Sequence, residues 1–469
     1  MKSTKITALL STITIVSLLS LGLQQNPEPT KKAATPEENY QSYCSGCHGA
    51  KVNAFADRKW KYGKTPEDIF KSIKFGYKDG GMPAFAEAFK DEEIKALADY
   101  IVKGIENVDR YSFDNQPKSE IFETENVKIK LETVFDKAKN PWGMAFLPSK
   151  QILITDKSGV VYLVNSDGKS TEVTGIPEVR FAGQGGLMDV ILHPEFAKNK
   201  IVYLSYSKPN PTDDKLQTTA IYMAMLNGNK LSNGKDIFIA QPYTKTKHHY
   251  GSRMVFGKDH MLYLSVGDRG NEKENPQDIK NGLGKIHRIT AEGDIPTDNP
   301  FYGNKTADQT IYSYGHRNPQ GLTLNPFTDQ IWEHEHGPRG GDEINIIKKG
   351  ENYGWPVVSY GINYNGKIIT TLTQKEGITD PLFYWNPSIA PSGMAFVNSK
   401  VYKGWEGNLM VGSLRFQYLN RCVIKDGKVV KEELLFKNIG RVRDVKQAPN
   451  GYLYIAVEGK GVLKLVPQS

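Results

Sequence analysis

Three cysteines in 469 residues cannot build a disulfide framework. Two of them share one short motif, and Cys422 stands alone in the apolar run YLNRCVI, where it reads as a buried, inert thiol. Beyond Leu23 no segment is long and apolar enough to cross a bilayer as a helix, which excludes a multi-span helical membrane protein. Basic residues outnumber acidic ones, 60 to 52, for a net charge of +8. They are dispersed and form no basic stripe, so no nucleic-acid partner is expected. Composition is otherwise that of a globular chain long enough for more than one folding unit.

What is present begins at the N-terminus. The run MKSTKITALLSTITIVSLLSLGLQQ sets two lysines ahead of an uncharged apolar stretch from Ile6 to Leu23, the layout of a secretory signal. The stretch lies near the lower limit of a bilayer span and its small-residue cleavage pattern is poor. Residues 1–25 are therefore read as a signal peptide or an N-terminal membrane anchor. Either way the remainder is expected to be exported, to the periplasm or the outer face of the membrane.

The two paired cysteines lie in Cys44-Ser45-Gly46-Cys47-His48. C-x-x-C-H is the attachment signature of c-type haem. Two thiols about a helical turn apart add to the vinyl groups, and the adjacent imidazole meets the iron. A redox dithiol or half of a zinc site also uses C-x-x-C, but neither explains the histidine, the leader and a downstream methionine together. That methionine is Met82, in GGMPAF, which suits the sixth iron ligand by its glycines, its proline and its place between two helical stretches. The first stretch opens with Thr65-Pro66-Glu67-Asp68, an N-cap followed by a first-turn proline and acids. The second, from Asp91, repeats Ile94, Leu97, Ala98 and Ile101 on one face. Residues 36–105 thus resemble a small all-α class I cytochrome c, with Cys44 and Cys47 holding the haem and His48 and Met82 ligating its iron.

Residues 106–126 are polar and lack periodicity, and read as a linker. From 127 onward helical signals vanish, and short apolar runs bounded by Gly, Asn, Asp and Pro take over. They recur as a unit: a small residue, an apolar pair, a turn and a longer strand. The copies begin PWGMAFLPSKQILITD, GGLMDVILHPEF, GSRMVFGKDHMLYLSVGD, PQGLTLNPFTDQIW, PSGMAFVNSK and RDVKQAPNGYLYIAV. Six such units predict an all-β six-bladed β-propeller over 127–469, since radial repetition limits exposed sheet edges. A β-sandwich is the alternative that six similar units argue against.

In a propeller, function belongs to the loops around the central channel. Several carry more charge and histidine than turns need: KHHYGSRM around His249, YGHRNPQGL around Arg317, HEHGPRGGDEINIIKKGENYGWP from His334, GSLRF with Arg415, and GRVRDV with Arg441 and Arg443. Arginines on separate blades can converge on one polyanion, because the guanidinium fork holds carboxylates and keeps its charge. Taken singly, each can equally pair with a local carboxylate. The remaining histidines read as structural: His193 in a turn, His260 facing solvent in a hairpin, His287 in a strand. The tryptophans, among them Trp142, Trp355 and Trp385, read as blade core.

These segments resemble the soluble quinoprotein glucose dehydrogenase and aldose sugar dehydrogenase family, which uses pyrroloquinoline quinone (PQQ) on a six-bladed propeller. The similarity spans the whole second module and is strongest in GHRNPQGL and HGPRGGDEINIIKKGENYGWP. By position it implies that His249 is the general base for the anomeric hydroxyl of the sugar. Arg317 and Asn318 are the pair beside the quinone carbonyl, with Arg317 stabilising the developing oxyanion. Gln184 is a further polar residue of the site. Arg415, Arg441 and Arg443 hold the cofactor carboxylates, and Ser388 supplies a hydroxyl. An active-site calcium is implied on the backbone carbonyls of Gly337 and Pro338, and a second calcium at Glu343 and Tyr353. The chain departs from the glucose dehydrogenase branch at His248, acidic there, at Arg415, lysine there, and at His336, glutamine there. Those departures put glucose itself in question and leave the order of the adjacent histidines to geometry.

The combined expectation is an exported quinohaemoprotein dehydrogenase. It oxidises aldoses to lactones with PQQ, haem c and calcium, and passes electrons to a respiratory acceptor such as a cytochrome or oxidase. The alternatives are a dehydrogenase of other sugar-derived aldehydes or alcohols, a propeller lactonase, and a non-catalytic binding propeller.

Overall fold

The computed structural model describes residues 34–44, 48, 60, 62–77, 82–106, 117, 119–270, 273–364 and 368–468. The leader or anchor expected over 1–25 lies outside the described residues, as does Cys47 of the haem motif. No described helix is long and apolar enough to cross a membrane.

The N-terminal part is helical. Helix α1 (Pro36–Asn39) runs on as a π-helical turn, Tyr40–Cys44; α2 spans Pro66–Phe75 and α3 spans Asp91–Glu106. The start of α2 follows from its sequence: Thr65 accepts from the Asp68 amide while Asp68 accepts from the Thr65 amide, a reciprocal capping box, with Pro66 in the first turn. Ile94, Leu97 and Ala98 of α3 are fully buried and pack with Tyr40, Cys44, Ile69, Ile73 and Phe89. Met82 packs partly against the same cluster. Its backbone pairs with Tyr77 through N–H···O bonds of 2.8 and 3.1 Å, which pins the loop between α2 and α3.

The C-terminal part is the six-bladed propeller. Its six antiparallel sheets comprise five of four strands and one of five. The innermost strands are Pro141–Phe146, Leu187–Leu192, Met254–Phe256, Pro319–Leu324, Pro391–Phe396 and Val442–Gln447. Each packs on the next and the last packs on the first, so the blades form a closed ring. The six sequence repeats coincide with these strands. The small residue of the repeat has a steric reason: a Cβ on Gly143 would lie 3.0 Å from the Asp189 Cα, and one on Gly393, at φ 62°, 2.5 Å from the Asp444 Cα. Glycine there lets neighbouring inner strands approach.

The sixth blade closes the ring by joining distant segments. Lys128–Phe135 pairs with Gly461–Gln468 from Lys128↔Gln468 to Phe135↔Val462. A short outer strand, Ile121–Phe122, adds to this sheet by pairing with Ile129 and Lys130. The segment expected as linker therefore ends before 121, six residues sooner than its polarity suggested. Glu125 ties the same segment to the fifth blade, since its carboxylate pairs with Lys431 and, at 3.1 Å, with Arg421.

One buried cation ties the inner strands together. Arg253 is 1% exposed. Its guanidinium lies 3.0 Å from Asp444 and 3.4 Å from Asp189, and donates to the carbonyls of Gln320 (3.0 Å), Arg443 (2.6 Å) and Trp142 (3.4 Å). It also sits 4.1 Å over the Trp142 ring. Five blades thus meet on one side chain.

Candidate active site

His249 lies between the second and third blades at φ 54°, a left-handed backbone that side chains rarely adopt. Its amide donates to Gln184 Oε1 at 2.8 Å, and its Nδ1 lies 2.7 Å from Asp268 Oδ1. Asp268 is itself fixed: Oδ1 accepts from the Gly270 amide (2.7 Å) and Oδ2 from the Trp355 indole (2.8 Å). Burial, and then Arg317, pushes the pKa of His249 down to about 4 against the upward pull of Asp268. Burial alone would raise Asp268, but His249 and Arg317 bring it below the ordinary carboxylate value. The arrangement is a neutral imidazole, oriented by a carboxylate. His248 is half-buried with its ring 4.9 Å from that of His249, and lacks such an orienting carboxylate contact among the described residues.

Arg317 and Asn318 enter from the turn before Pro319–Leu324. Glu335 Oε2 accepts from both of their amides, at 3.2 Å for Asn318. Arg317 Nη1 donates to the carbonyls of His336 (2.9 Å) and Gly337 (2.7 Å), its guanidinium lies 5.2 Å from the Trp355 ring, and its buried Nε makes no hydrogen bond. Asn318 Oδ1 accepts from the Gly251 amide, which links it to the His249 loop. The Arg317 carbonyl in turn accepts from the Asp268 amide at 2.8 Å. His336 donates Nε2–H to the Pro391 carbonyl at 2.7 Å.

Asp342 organises the next loops. It accepts from the Gly337 amide (2.9 Å), the Ala390 amide (2.8 Å) and the Ser388 hydroxyl (2.8 and 2.9 Å). Ser388 is therefore engaged with a carboxylate, and its carbonyl accepts from Arg415 at 3.1 Å. Arg441 and Arg443 share Glu458, at 2.7 and 2.5 Å, so two cations meet one anion and the pair stays net positive. Lys157, half-buried, donates to the Gly183 carbonyl, and burial followed by Arg443 lowers its pKa.

A cavity beneath Arg317 is lined by Glu335, Gly337, Pro338, Glu343 and Tyr353. Glu343 lies directly across the sheet from Glu335. Burial and then Glu335 push the Glu343 carboxyl well above its usual range. The Tyr353 hydroxyl donates to the Ile346 carbonyl at 2.6 Å, so only its backbone oxygen is available to a cation there.

The structure thus joins His249, Gln184, Arg317, Asn318, Gly337, Ser388 and Arg415 through hydrogen bonds, and Arg441 reaches the Leu414 carbonyl next to Arg415. In the helical part, Cys44 is buried, His48 half-buried and Met82 half-buried. Sequence reasoning missed Asp268, Glu335, Asp342, Glu458 and Lys157. It also read Trp355 as blade core, whereas its indole holds Asp268. A recoverable signal existed for Asp268, which follows an apolar strand in YLSVGDRG. His193, His260 and His287 sit as expected, in a turn, exposed, and buried in a strand.

Residues 138–465 match the model of the Glucose / Sorbosone dehydrogenase family, and residues 31–101 match that of cbb3-type cytochrome c oxidase subunit III. The chain is 39% identical over 350 residues to the aldose sugar dehydrogenase YliI of Escherichia coli, covering 73% of this chain and 94% of that one. Among solved structures, the soluble aldose sugar dehydrogenase of E. coli in its apo form superposes with a TM-score of 0.70 at 38% identity, over 72% of this chain and all of that one. The PQQ-bound aldose sugar dehydrogenase of Streptomyces coelicolor superposes at 0.60 and 28% identity, over 73% and 99%. With a closed six-bladed ring, a buried His249–Asp268 pair beside Arg317 and a cytochrome c domain ahead of them, the chain belongs to the glucose/sorbosone dehydrogenase family of oxidoreductases.

Proposed function

We propose that the protein is an exported quinohaemoprotein dehydrogenase that oxidises aldoses to lactones, with PQQ and calcium resident in the propeller and haem c in the fused domain. The observation that carries it is the oriented, neutral His249 set by hydrogen bonds beside Arg317.

The residues fit these groups chemically. PQQ is a planar tricarboxylate, and the site offers Arg415 and the net-positive Arg441–Arg443 pair. Calcium takes oxygen ligands, and the carbonyls of Gly337 and Pro338, with Glu343 and Tyr353 lining the same cavity, are oxygen donors. Cys44 and Met82 pack into one apolar cluster, as a haem requires. When bound, the quinone supplies a two-electron acceptor for hydride and the haem a one-electron carrier towards a respiratory acceptor.

The chain's own part begins with His249. Its Nδ1 proton is held by Asp268, which leaves the Nε2 lone pair for the proton of the anomeric hydroxyl. Arg317, unable to lose its proton, keeps its positive charge beside His249 and steadies negative charge on an oxygen there. Gln184 and Asn318 fix the loop that carries the base.

The test is a visible spectrum of the full chain reconstituted with PQQ and calcium, before and after aldose. Haem reduction by sugar only when PQQ is present is the expected result. A haem that dithionite reduces and no aldose reduces would retire the sugar-oxidising reading and leave the cytochrome intact. For the haem itself, Met82→Ala is expected to lower the reduction potential and change the iron's ligand-field spectrum, because a thioether raises the potential. An unchanged spectrum would assign the sixth ligand to another residue.

A further inference from the structure

The fourth blade carries a second polar cluster behind Arg317. In the pairing of Ile331–Glu335 with Asp342–Ile346, Glu335 lies opposite Glu343 and Glu333 opposite Asn345. Residues two apart on a strand share a face, and so do cross-strand partners. Three glutamates therefore stand on one side of one sheet. His316, whose ring stacks on Tyr353 at 4.7 Å, joins them.

A ring nitrogen of His316, an oxygen of Glu333 and an oxygen of Glu335 all lie within 4.8 Å of one another, and His316 and Glu333 are fully buried. Glu333 Oε1 and His316 Nδ1 make no hydrogen bond. Nδ1 lies 3.4 Å from Glu335 Oε1. The other atoms of these groups are occupied: Glu333 Oε2 accepts from Asn345 at 3.1 Å, and Glu335 Oε2 from the amides of Arg317 and Asn318. Among the described residues no lysine or arginine forms an ion pair with Glu333, Glu335 or Glu343. Buried carboxylates without a counter-charge are strongly disfavoured, so this face requires a cation or bound protons.

The imidazole is placed to serve a cation. His316 Nε2 lies 2.9 Å from the Ser313 hydroxyl, which can accept its proton and leave the Nδ1 lone pair directed at the carboxylates. That is the arrangement of a metal-ligating histidine whose other nitrogen is held by an outer partner. The geometry points to a divalent cation held by His316 Nδ1, Glu333 Oε1 and Glu335 Oε1, of the class that accepts nitrogen together with carboxylate oxygen, zinc or manganese. This site is distinct from the all-oxygen calcium sets of Gly337 with Pro338 and Glu343 with Tyr353. It neutralises the two carboxylates and anchors Glu335, which holds the amides of Arg317 and Asn318 in place.

The experiment uses the full haem-loaded chain, desalted and then supplied with zinc or manganese chloride. Elemental analysis should find one equivalent of the added metal beyond the haem iron. Diffraction on either side of that metal's absorption edge should place a peak bounded by the three atoms. Glu333→Gln, close in size, should weaken binding about tenfold or more while the sheet spectrum stays unchanged. The proposal is overturned if neither metal gives a peak there, if Glu333→Gln binds as tightly as the parent, or if the ion sits on Glu343 and Tyr353 with His316 Nδ1 out of bonding range. Should Glu333→Gln fail to fold, the anomalous peak of the parent protein decides alone.

Discussion

Exchange of His249 for alanine is expected to lower aldose turnover by about 10²–10⁴-fold, the usual contribution of a positioned general base, while cofactor affinity measured by titration stays close to that of the parent. The neighbouring His248→Ala serves as the control for the order of the pair. The pH profile of kcat/KM sharpens the test, because it reports the free enzyme. A base must be neutral to accept a proton, and the pKa of His249 is pushed down to about 4. Activity should therefore persist at mildly acidic pH and fall only as pH drops through about 4, well below the ordinary imidazole value. Asp268→Asn removes the charge that raises His249, so the acid limb should move lower still. The rate should fall at the same time, because an amide no longer selects the Nδ1–H tautomer. An acid limb near the ordinary histidine value, or full turnover in His249→Ala, would remove His249 from this role.

The second large effect is on stability. Arg253→Met leaves Asp189 and Asp444 buried without their arginine partner and removes one donor each from the carbonyls of Trp142, Gln320 and Arg443, of which the last keeps the Ser392 hydroxyl. Breaking a buried pair from one side costs about 3–5 kcal/mol. A clear fall in the propeller's melting temperature is expected, and adding Asp189→Asn and Asp444→Asn should recover part of it. The sign of the pH dependence follows from Asp444, whose pKa burial raises against the opposing effect of Arg253. Without Arg253 that rise grows, the folded state binds the proton more tightly than the unfolded chain, and stability falls as pH rises. The deficit of the variant should shrink at low pH. A melting temperature indistinguishable from the parent at neutral pH would show that the ring does not depend on this contact.

The ring itself was legible in the chain because each blade repeats one local demand: a small residue where inner strands approach, then an apolar pair, a turn and a longer apolar strand. Six copies make the pattern visible without knowing which strands meet. The basic and histidine-rich loops stood out for the opposite reason, since no turn requires His249, Arg317 or Arg443. The acids that hold them did not. Asp268, Asp342 and Glu458 stand at strand ends where single acids are common, and their partners lie 19, 46 and 17 residues away, a separation no local pattern encodes. Glu458 meets Arg441 only once the hairpin of the sixth blade forms, and Asp342 meets Ser388 only once its strand pairs with Phe383–Trp385 in the fourth. Arg253 escaped notice for the same reason, since a lone arginine ahead of a strand carries no sign of the blades it joins. Strand Ile121–Phe122 was too short to register as periodicity and is defined by its pairing alone.

The pairing of Lys128–Phe135 with Gly461–Gln468 also sets an order of events during synthesis. The first long strand of the ring must wait, unpartnered on that edge, until every other strand has been made. The haem domain lies wholly upstream and depends on no later residue for its helices, so it can finish early. The propeller matures last and all at once, and a chain stalled anywhere before Gly461 presents an open sheet edge rather than a smaller version of the enzyme.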